Sequence, residues 1–339
     1  GPERLTSGNS STGAIWFLQK QTSKIGRLNP KNNTVAEWAI PTPNAKPMGI
    51  AIHRYGGVIN NTLFFTEHES NKIGSLSYTG SQWVFKEFQI PTENSKPVDL
   101  AVDNDGFVWF TESDGSRIGR LDPWKGKFSE YSVGQGNQPW GIAPDKDNYV
   151  WFVMQEANKI AKLDSKTGWY DTYEIPTSRC RPRYAIADNQ GSIWFTEFDS
   201  GKIGRFVLNS TRFIEYSLPG TNIGLDHISI DRSTQELWAT EVQRNRIARI
   251  MPAVKSVGSV SVTTYAVQTA SLTSSSAGIS TVALSGVTSP LPPIPTMTVA
   301  TTTTTTWTAT LATSSITTTT QSASTVTVTA TVTTTTSPT

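Results

Sequence analysis

Apolar and polar positions along this chain come in short runs, and the runs return at a nearly constant interval. Val108-Trp109-Phe110-Thr111-Glu112 is apolar and then turns polar. A polar loop follows at 113–116. Arg117-Ile118-Gly119-Arg120-Leu121-Asp122 alternates, and Pro123 stops it. Lys127-Phe128-Ser129-Glu130-Tyr131-Ser132-Val133 alternates again. Ahead of these lies Pro97-Val98-Asp99-Leu100-Ala101-Val102-Asp103, a short apolar run closed by Asn104-Asp105-Gly106. Asn and Gly tolerate positive φ, so that tripeptide reads as a hairpin turn. The pattern predicts four short antiparallel strands per unit.

The unit recurs six times, at Trp16, Phe64, Trp109, Trp151, Trp194 and Trp238, with spacings of 48, 45, 42, 43 and 44 residues. In every copy an Ile or its equivalent follows the aromatic by nine residues: Ile25, Ile73, Ile118, Ile160, Ile203 and Ile247. Four-stranded units at this period are blades of a β-propeller, stacked so that each sheet buries its faces against its neighbours. The fold expected is all-β: a propeller of about six four-stranded blades over 1–267. A seventh would follow only if the tail contributed. The aromatics and Ile are expected between blades. Inner strands are legible at 47–53, 97–103, 139–145, 182–188 and 225–231, five against six units. The first unit shows none ahead of Trp16. Residues 1–13, a tail segment such as Ser280-Thr281-Val282-Ala283-Leu284, or a strand of another chain would have to supply it, since an open sheet edge invites pairing.

Composition divides the chain. Charged residues make up 17%, against about a quarter in an average protein, and none occurs in the 84 residues after Lys255. Residues 268–300 read as a Ser/Ala/Pro-rich linker and 301–339 as an extended Thr-rich tail or stalk of the O-glycosylated type. Within it, Thr325-Val326-Thr327-Val328-Thr329-Ala330-Thr331-Val332-Thr333 alternates as a strand would. Sequons at Asn9, Asn32, Asn60 and Asn209 fit an exported glycoprotein. Cys180 is the only cysteine, so no intrachain disulfide is available. A net charge of +2 without a basic run disfavours nucleic acid as a partner. No apolar run approaches the ~18 residues of a membrane span. Nucleophile elbow, phosphate loop and CxxC motifs are absent from the sequence, and Glu67-His68-Glu69 reads as a loop rather than a metal cluster.

The series Pro-x-Gly-Ile-Ala, Trp-Phe-Thr-Glu, Lys-Ile-Gly-Arg-Leu-Asp-Pro and Glu-Tyr-x-Ile-Pro, spread over about 14–267, resembles the virginiamycin B (streptogramin) lyase family. The resemblance implies a seven-bladed propeller that opens a cyclic depsipeptide by metal-assisted elimination. It implies catalytic histidines directly after the inner-strand Pro, and a glutamate on a later strand that completes a Mg²⁺ site. The histidine slots here hold Met48, Val98, Trp140, Arg183 and Asp226, none of them His. His227 lies one place on, where strand alternation would turn it away. The glutamate slots keep Glu67, Glu112, Glu197 and Glu241, while Gln19 and Met154 interrupt the series.

The expectation is therefore a non-catalytic exported protein, extracellular or at a cell surface. It would be a propeller head on a Thr-rich stalk, similar in its tail to archaeal surface proteins. Its partners would be further copies of itself, joined by strand donation into a filament or lattice, or cell-surface proteins, with glycans attached covalently. A glycan- or peptide-binding pore would use Trp140, Arg183, Tyr184, Asp226 and His227, beside Asp99. A lyase or lactonase would use Glu197 and Glu241 with Tyr184 or His227 as base. No cofactor is assigned, though Mg²⁺ or Ca²⁺ would suit a ring of Glu67, Glu112, Glu197 and Glu241.

Overall fold

The computed structural model describes residues 4–7, 13–55, 58–231, 233–252, 259–266 and 324–329. The first blade is Arg4–Ser7, Ile15–Gln19, Lys24–Asn29 and Thr34–Ala39 (β1–β4). The second is Pro47–Tyr55, Val58–Glu67, Lys72–Tyr78 and Trp83–Gln89 (β5–β8), and the third Pro97–Val102, Val108–Glu112, Arg117–Asp122 and Lys127–Ser132 (β9–β12). The fourth is Pro139–Pro144, Tyr149–Met154, Lys159–Asp164 and Tyr170–Glu174 (β13–β16). The fifth is Pro182–Ala187, Ser192–Glu197, Lys202–Val207 and Arg212–Ser217 (β17–β20). The sixth is Leu225–Ile230, Leu237–Glu241, Arg246–Pro252 and Ser259–Ala266 (β21–β24), to which Ser324–Thr329 (β25) adds a fifth strand. Each sheet pairs its strands in sequence order, antiparallel throughout. This six-bladed propeller is the expected all-β fold. Among the described residues the one helical piece is a 3₁₀ turn, Leu208–Ser210, and no helix is long and apolar enough to cross a membrane.

The repeated aromatic and Ile lie between blades. Trp109 and Ile118 of the third blade pack on Ile142, Val150, Phe152 and Leu163 of the fourth. Phe64 and Ile73 pack in the same way on Leu100, Val108, Phe110 and Leu121. The same pattern joins the first blade to the second, the fourth to the fifth and the fifth to the sixth. Burying one such side chain contributes roughly 1.5–3 kcal/mol, so five junctions of this kind carry the fold. The Gly of the third strand is forced by the same packing. A Cβ at Gly119 would stand 2.0 Å from the Phe110 ring, and one at Gly204 2.0 Å from Phe195.

The ends settle one open alternative and correct one expectation. The first blade has its own inner strand: β1 pairs with β2 from Arg4↔Leu18 to Ser7↔Ile15. Of the three donors open to it, residues 1–13 supply the strand; Arg-Leu-Thr-Ser is four residues long and carries none of the Pro-x-Gly-Ile-Ala signature. The inner-strand gap is thus filled within the chain. The alternating tail does form a strand, but β25 pairs with β24, Ser259↔Thr329 to Thr264↔Ser324, and so extends the sixth blade instead of starting a seventh. The segment 280–284 lies outside the described residues. Successive inner strands contact one another from β1 through β21, and no comparable contact joins β21 to β1 among the described residues. In keeping with this, Trp238 and Ile247 are half-buried, whereas Trp109, Trp194, Ile118 and Ile203 are enclosed.

Candidate binding site at the pore mouth

Five inner strands begin with the same irregularity. Their registers slip between Pro47 and Ile50, Pro97 and Leu100, Pro139 and Ile142, Pro182 and Ala185, and Leu225 and Ile228. A β-bulge of this kind interrupts alternation and re-aims side chains. The residues it frees are the slots singled out in the sequence: Met48-Gly49, Val98-Asp99, Trp140-Gly141, Arg183-Tyr184 and Asp226-His227. The second-strand Thr holds the bulge. Thr111 Oγ1 accepts from Asp99 N at 3.0 Å and donates to Trp140 O of the next blade at 2.7 Å. Thr196 Oγ1 does the same between Tyr184 N (3.1 Å) and Asp226 O (2.7 Å), and Thr66 between Gly49 N and Val98 O. A hydroxyl both accepts and donates, so one Thr fixes the bulge of its own blade and the strand beginning of the next.

Across the fourth, fifth and sixth blades the bulges bring Trp140, Arg183 and Asp226 into one row. Arg183 Nη1 donates to Asp226 Oδ1 at 2.6 Å. Its guanidinium lies 5.6 Å from the Trp140 ring and 3.7 Å from Phe198. Tyr184 and His227 meet edge to face, with centroids 5.2 Å apart. The five pore residues expected from sequence are therefore neighbours. Trp140, Arg183, Asp226 and His227 remain partly exposed, and Trp140 Nε1 and Arg183 Nε have no hydrogen-bond partner. The bulge also corrects the placement of His227, which shares the half-exposed rim with Asp226 because alternation fails there. Asp99 is buried and structural, accepting from Leu100 N at 2.6 Å and Ile142 N at 3.1 Å. Phe198 was missed in the sequence. Its signal was an aromatic directly after Thr196-Glu197, where Ser113 and Gln155 stand in other blades.

The four glutamates do not form a ring. Each is enclosed within its own blade, and among the described residues no group of three or more His, Cys, Asp or Glu is placed to hold a metal. The carboxylates of Glu67, Glu112 and Glu241 lack partners at good hydrogen-bond geometry, and Arg244 Nη1 stands 3.6 Å from Glu241 Oε2. Burial, followed by the negative charge of Glu87, Glu130 and Glu215 respectively, pushes Glu67, Glu112 and Glu197 up to about 8. Glu241 is raised by burial against the opposing charge of Arg244. A cation is already present beside two of these pairs. Lys72 Nζ binds Glu87 at 2.7 Å and Lys202 Nζ binds Glu215 at 2.9 Å, while Thr42 and Thr177 of the preceding linkers donate to the same carboxylates. These are latches between a linker and a blade. A Mg²⁺ or Ca²⁺ ion does not fit them, because the oxygens are dispersed over four blades and the local charge is met by lysine.

A family model, the virginiamycin B lyase family, matches residues 1–285. The chain belongs to the virginiamycin B lyase family. A virginiamycin B lyase from Staphylococcus aureus superposes with a TM-score of 0.69 at 29% identity, over 80% of this chain and 85% of the other. A streptogramin B lyase matches with a TM-score of 0.69 at 31% identity, over 80% and 84%. A catalytically inactive S. aureus virginiamycin B lyase with quinupristin matches with a TM-score of 0.69 at 28% identity, over 79% and 85%. No curated protein matches. Within this virginiamycin B lyase fold, the slots that the resemblance gives to catalytic histidine are the bulge residues Met48, Val98, Trp140, Arg183 and Asp226.

The other candidates separate. His68 Nδ1 lies 3.1 Å from Pro97 O, and burial lowers its pKa. Glu69 turns out to Lys96 at 2.6 Å, so the Glu67-His68-Glu69 run diverges. Cys180 is a free, buried thiol whose pKa burial raises. Asn32 and Asn209 are exposed, Asn32 in the β3–β4 turn. Asn9 and the Asn60 side chain lie outside what is described.

Proposed function

We propose that this chain is a binding propeller of the virginiamycin B lyase family that holds a ring-bearing polar ligand, a glycan or peptide, at its pore mouth without opening it. The observation that carries this is the Trp140–Arg183–Asp226 row. It offers an aromatic face and a guanidinium already oriented by a carboxylate. Elimination needs a positioned proton acceptor with a pKa near neutrality. The slots hold a thioether, an isopropyl, an indole, a guanidinium and a carboxylate paired with that guanidinium; the one imidazole on the rim, His227, stands one place on and packs edge to face on Tyr184, and the glutamates are enclosed within their own blades.

The lyase reading is the second, favoured by the extent of the likeness to enzymes of that name. Quinupristin, present with the inactive relative, separates the two. Calorimetry should detect binding of glycan or peptide ligands that Trp140→Ala or Arg183→Ala weakens about tenfold or more, roughly 1.4 kcal/mol, with quinupristin recovered intact. Ring opening of quinupristin with added Mg²⁺ would overturn the non-catalytic reading. The charge-free tail and the sequons support an exported, cell-surface glycoprotein able to pair with further copies through its strand-forming tail. The mass of the native protein tests export, and a mass equal to that of the bare polypeptide would refute it.

A further inference from the structure

The second blade breaks the repeat at three positions together. In the third, fourth and fifth blades an Asp ends the inner strand and accepts the indole N–H of the second-strand Trp: Asp103 from Trp109 at 2.7 Å, Asp145 from Trp151 at 2.9 Å, Asp188 from Trp194 at 2.9 Å. A third-strand cation then covers the same ring, as Arg120, Lys162 and Arg205 do. The second blade has His53 for the Asp, Phe64 for the Trp and Ser75 for the cation. Phenyl is smaller than indole and Ser far smaller than Arg. The volume that an Asp–Trp–Arg stack fills elsewhere is left as a cavity of ≈ 160 Å³.

Its walls are built. His53 is buried and meets Phe64 and Trp124 edge to face at 6.4 and 5.8 Å. Trp124 comes from the β11–β12 turn of the third blade and is 58% exposed, so it stands at the opening. Gly106 lets it lie there: at φ +83, a Cβ would come within 2.5 Å of Trp124 and 2.6 Å of His53 Nε2. Phe88 closes the side. Lys86, opposite Ser75 in the β7–β8 register, carries the cation from the third strand to the exposed rim, 4.5 Å from the Phe88 ring. No carboxylate pairs with Lys86 among the described residues.

We infer that this cavity between the second and third blades is a second ligand site, separate from the pore mouth, for a small single-ring aromatic carboxylate. The volume is that of a cavity able to hold one benzene ring, about 150 Å³. Aromatic edges from His53, Phe64 and Trp124 suit a ring. Lys86 at the mouth sets the charge of the substituent left outside. Loss of the indole alone releases the Asp and the third-strand cation; a new cation on the fourth strand, Lys86, at the rim of the space left behind is not required by packing.

Benzoate titrated into the full chain, followed by calorimetry and saturation-transfer NMR, tests this. Benzoate is expected to bind, with benzylamine at least about tenfold weaker. Lys86→Ala should remove that preference. Restoring the repeat with His53→Asp, Phe64→Trp and Ser75→Arg together should abolish binding, and Ser75→Arg alone serves if the triple variant does not fold. Trp140→Ala should leave benzoate binding unchanged, which keeps this site distinct from the pore mouth. Absence of benzoate binding at about 10 mM would overturn the proposal. Undiminished binding in a folded Ser75→Arg variant would do so as well.

Discussion

Replacing Glu112 by glutamine should flatten the pH dependence of this protein's stability. Glu112 is fully enclosed, and burial, followed by the negative charge of Glu130, moves it from 4.5 up to about 8. The folded state therefore holds this proton more tightly than the unfolded chain. Below pH 4.5 both states are protonated and nothing is lost. Between 4.5 and about 8 the unfolded chain ionises while the folded one cannot, so stability falls by up to about 1.4 kcal/mol per pH unit. At pH 7 the deficit is on the order of 3 kcal/mol for this one group, a large part of the 5–15 kcal/mol typical of a domain. Glu67 and Glu197 share the same shift and cause, so the wild-type protein should be most stable near pH 4–5 and weaken steadily toward pH 8. Glu112→Gln keeps the shape and removes the ionisation. Urea denaturation at pH 4.5, 6 and 8 should place the variant close to wild type at the first pH and several kcal/mol above it at the last. A wild-type stability that stays flat or rises from pH 5 to 8, with the variant offset equally at all three values, would refute the reasoning.

Thr111→Val should cost about 1–3 kcal/mol in chemical denaturation, because it strands Asp99 N and Trp140 O inside the bulge relay. Asp103→Ala removes the acceptor for Asp105 N, Phe107 N and the Trp109 indole, and should lower stability by about 2–3 kcal/mol, read as a drop in Tm. Asp226→Ala releases Arg183 from a half-buried ion pair. It should cost roughly 1 kcal/mol of stability while weakening pore-mouth ligands by more than that factor, measured by calorimetry on the same variant. The Cys180 thiol, buried with a raised pKa, should react with iodoacetamide in denaturant and not in the native protein at pH 8, as scored by intact mass.

The blades were legible in the chain because a blade is a local object. An aromatic followed nine residues later by Ile puts both side chains on one face of a hairpin, and six such hairpins cannot bury that face except against one another. The aromatic and Ile were accordingly read as inter-blade packing, and five junctions show them there. The first inner strand was legible only as one of three possible donors, since Arg4–Ser7 carries no pattern of its own and pairs along the edge that β2 presents to it. Trp140, Arg183, Tyr184, Asp226 and His227 were legible as candidates through their place after the inner-strand Pro. Their grouping was expected too, but the Arg183–Asp226 ion pair and the turn of His227 to the rim were not, because they depend on bulges that strict alternation hides. The glutamates ran the other way. Four Glu at one slot favoured structure and left a metal ring as the alternative, and among the described residues no three His, Cys, Asp or Glu are placed to share an ion.

The sequence by itself determined the repeat, most strands of each unit, the faces they bury and the change of material after Lys255. Each unit follows from residue types within about ten positions of one another, and the repeat from their return every 42–48 residues. Only the tertiary structure decided which residues of different blades meet. It set the Trp140–Arg183–Asp226 row, the isolation of Glu67, Glu112, Glu197 and Glu241 from one another, and the cavity beside His53. The physical reason is that those relations are made across packed sheets, between residues some 40 positions apart, and depend on how a bulge or a missing indole shifts atoms by a few ångströms.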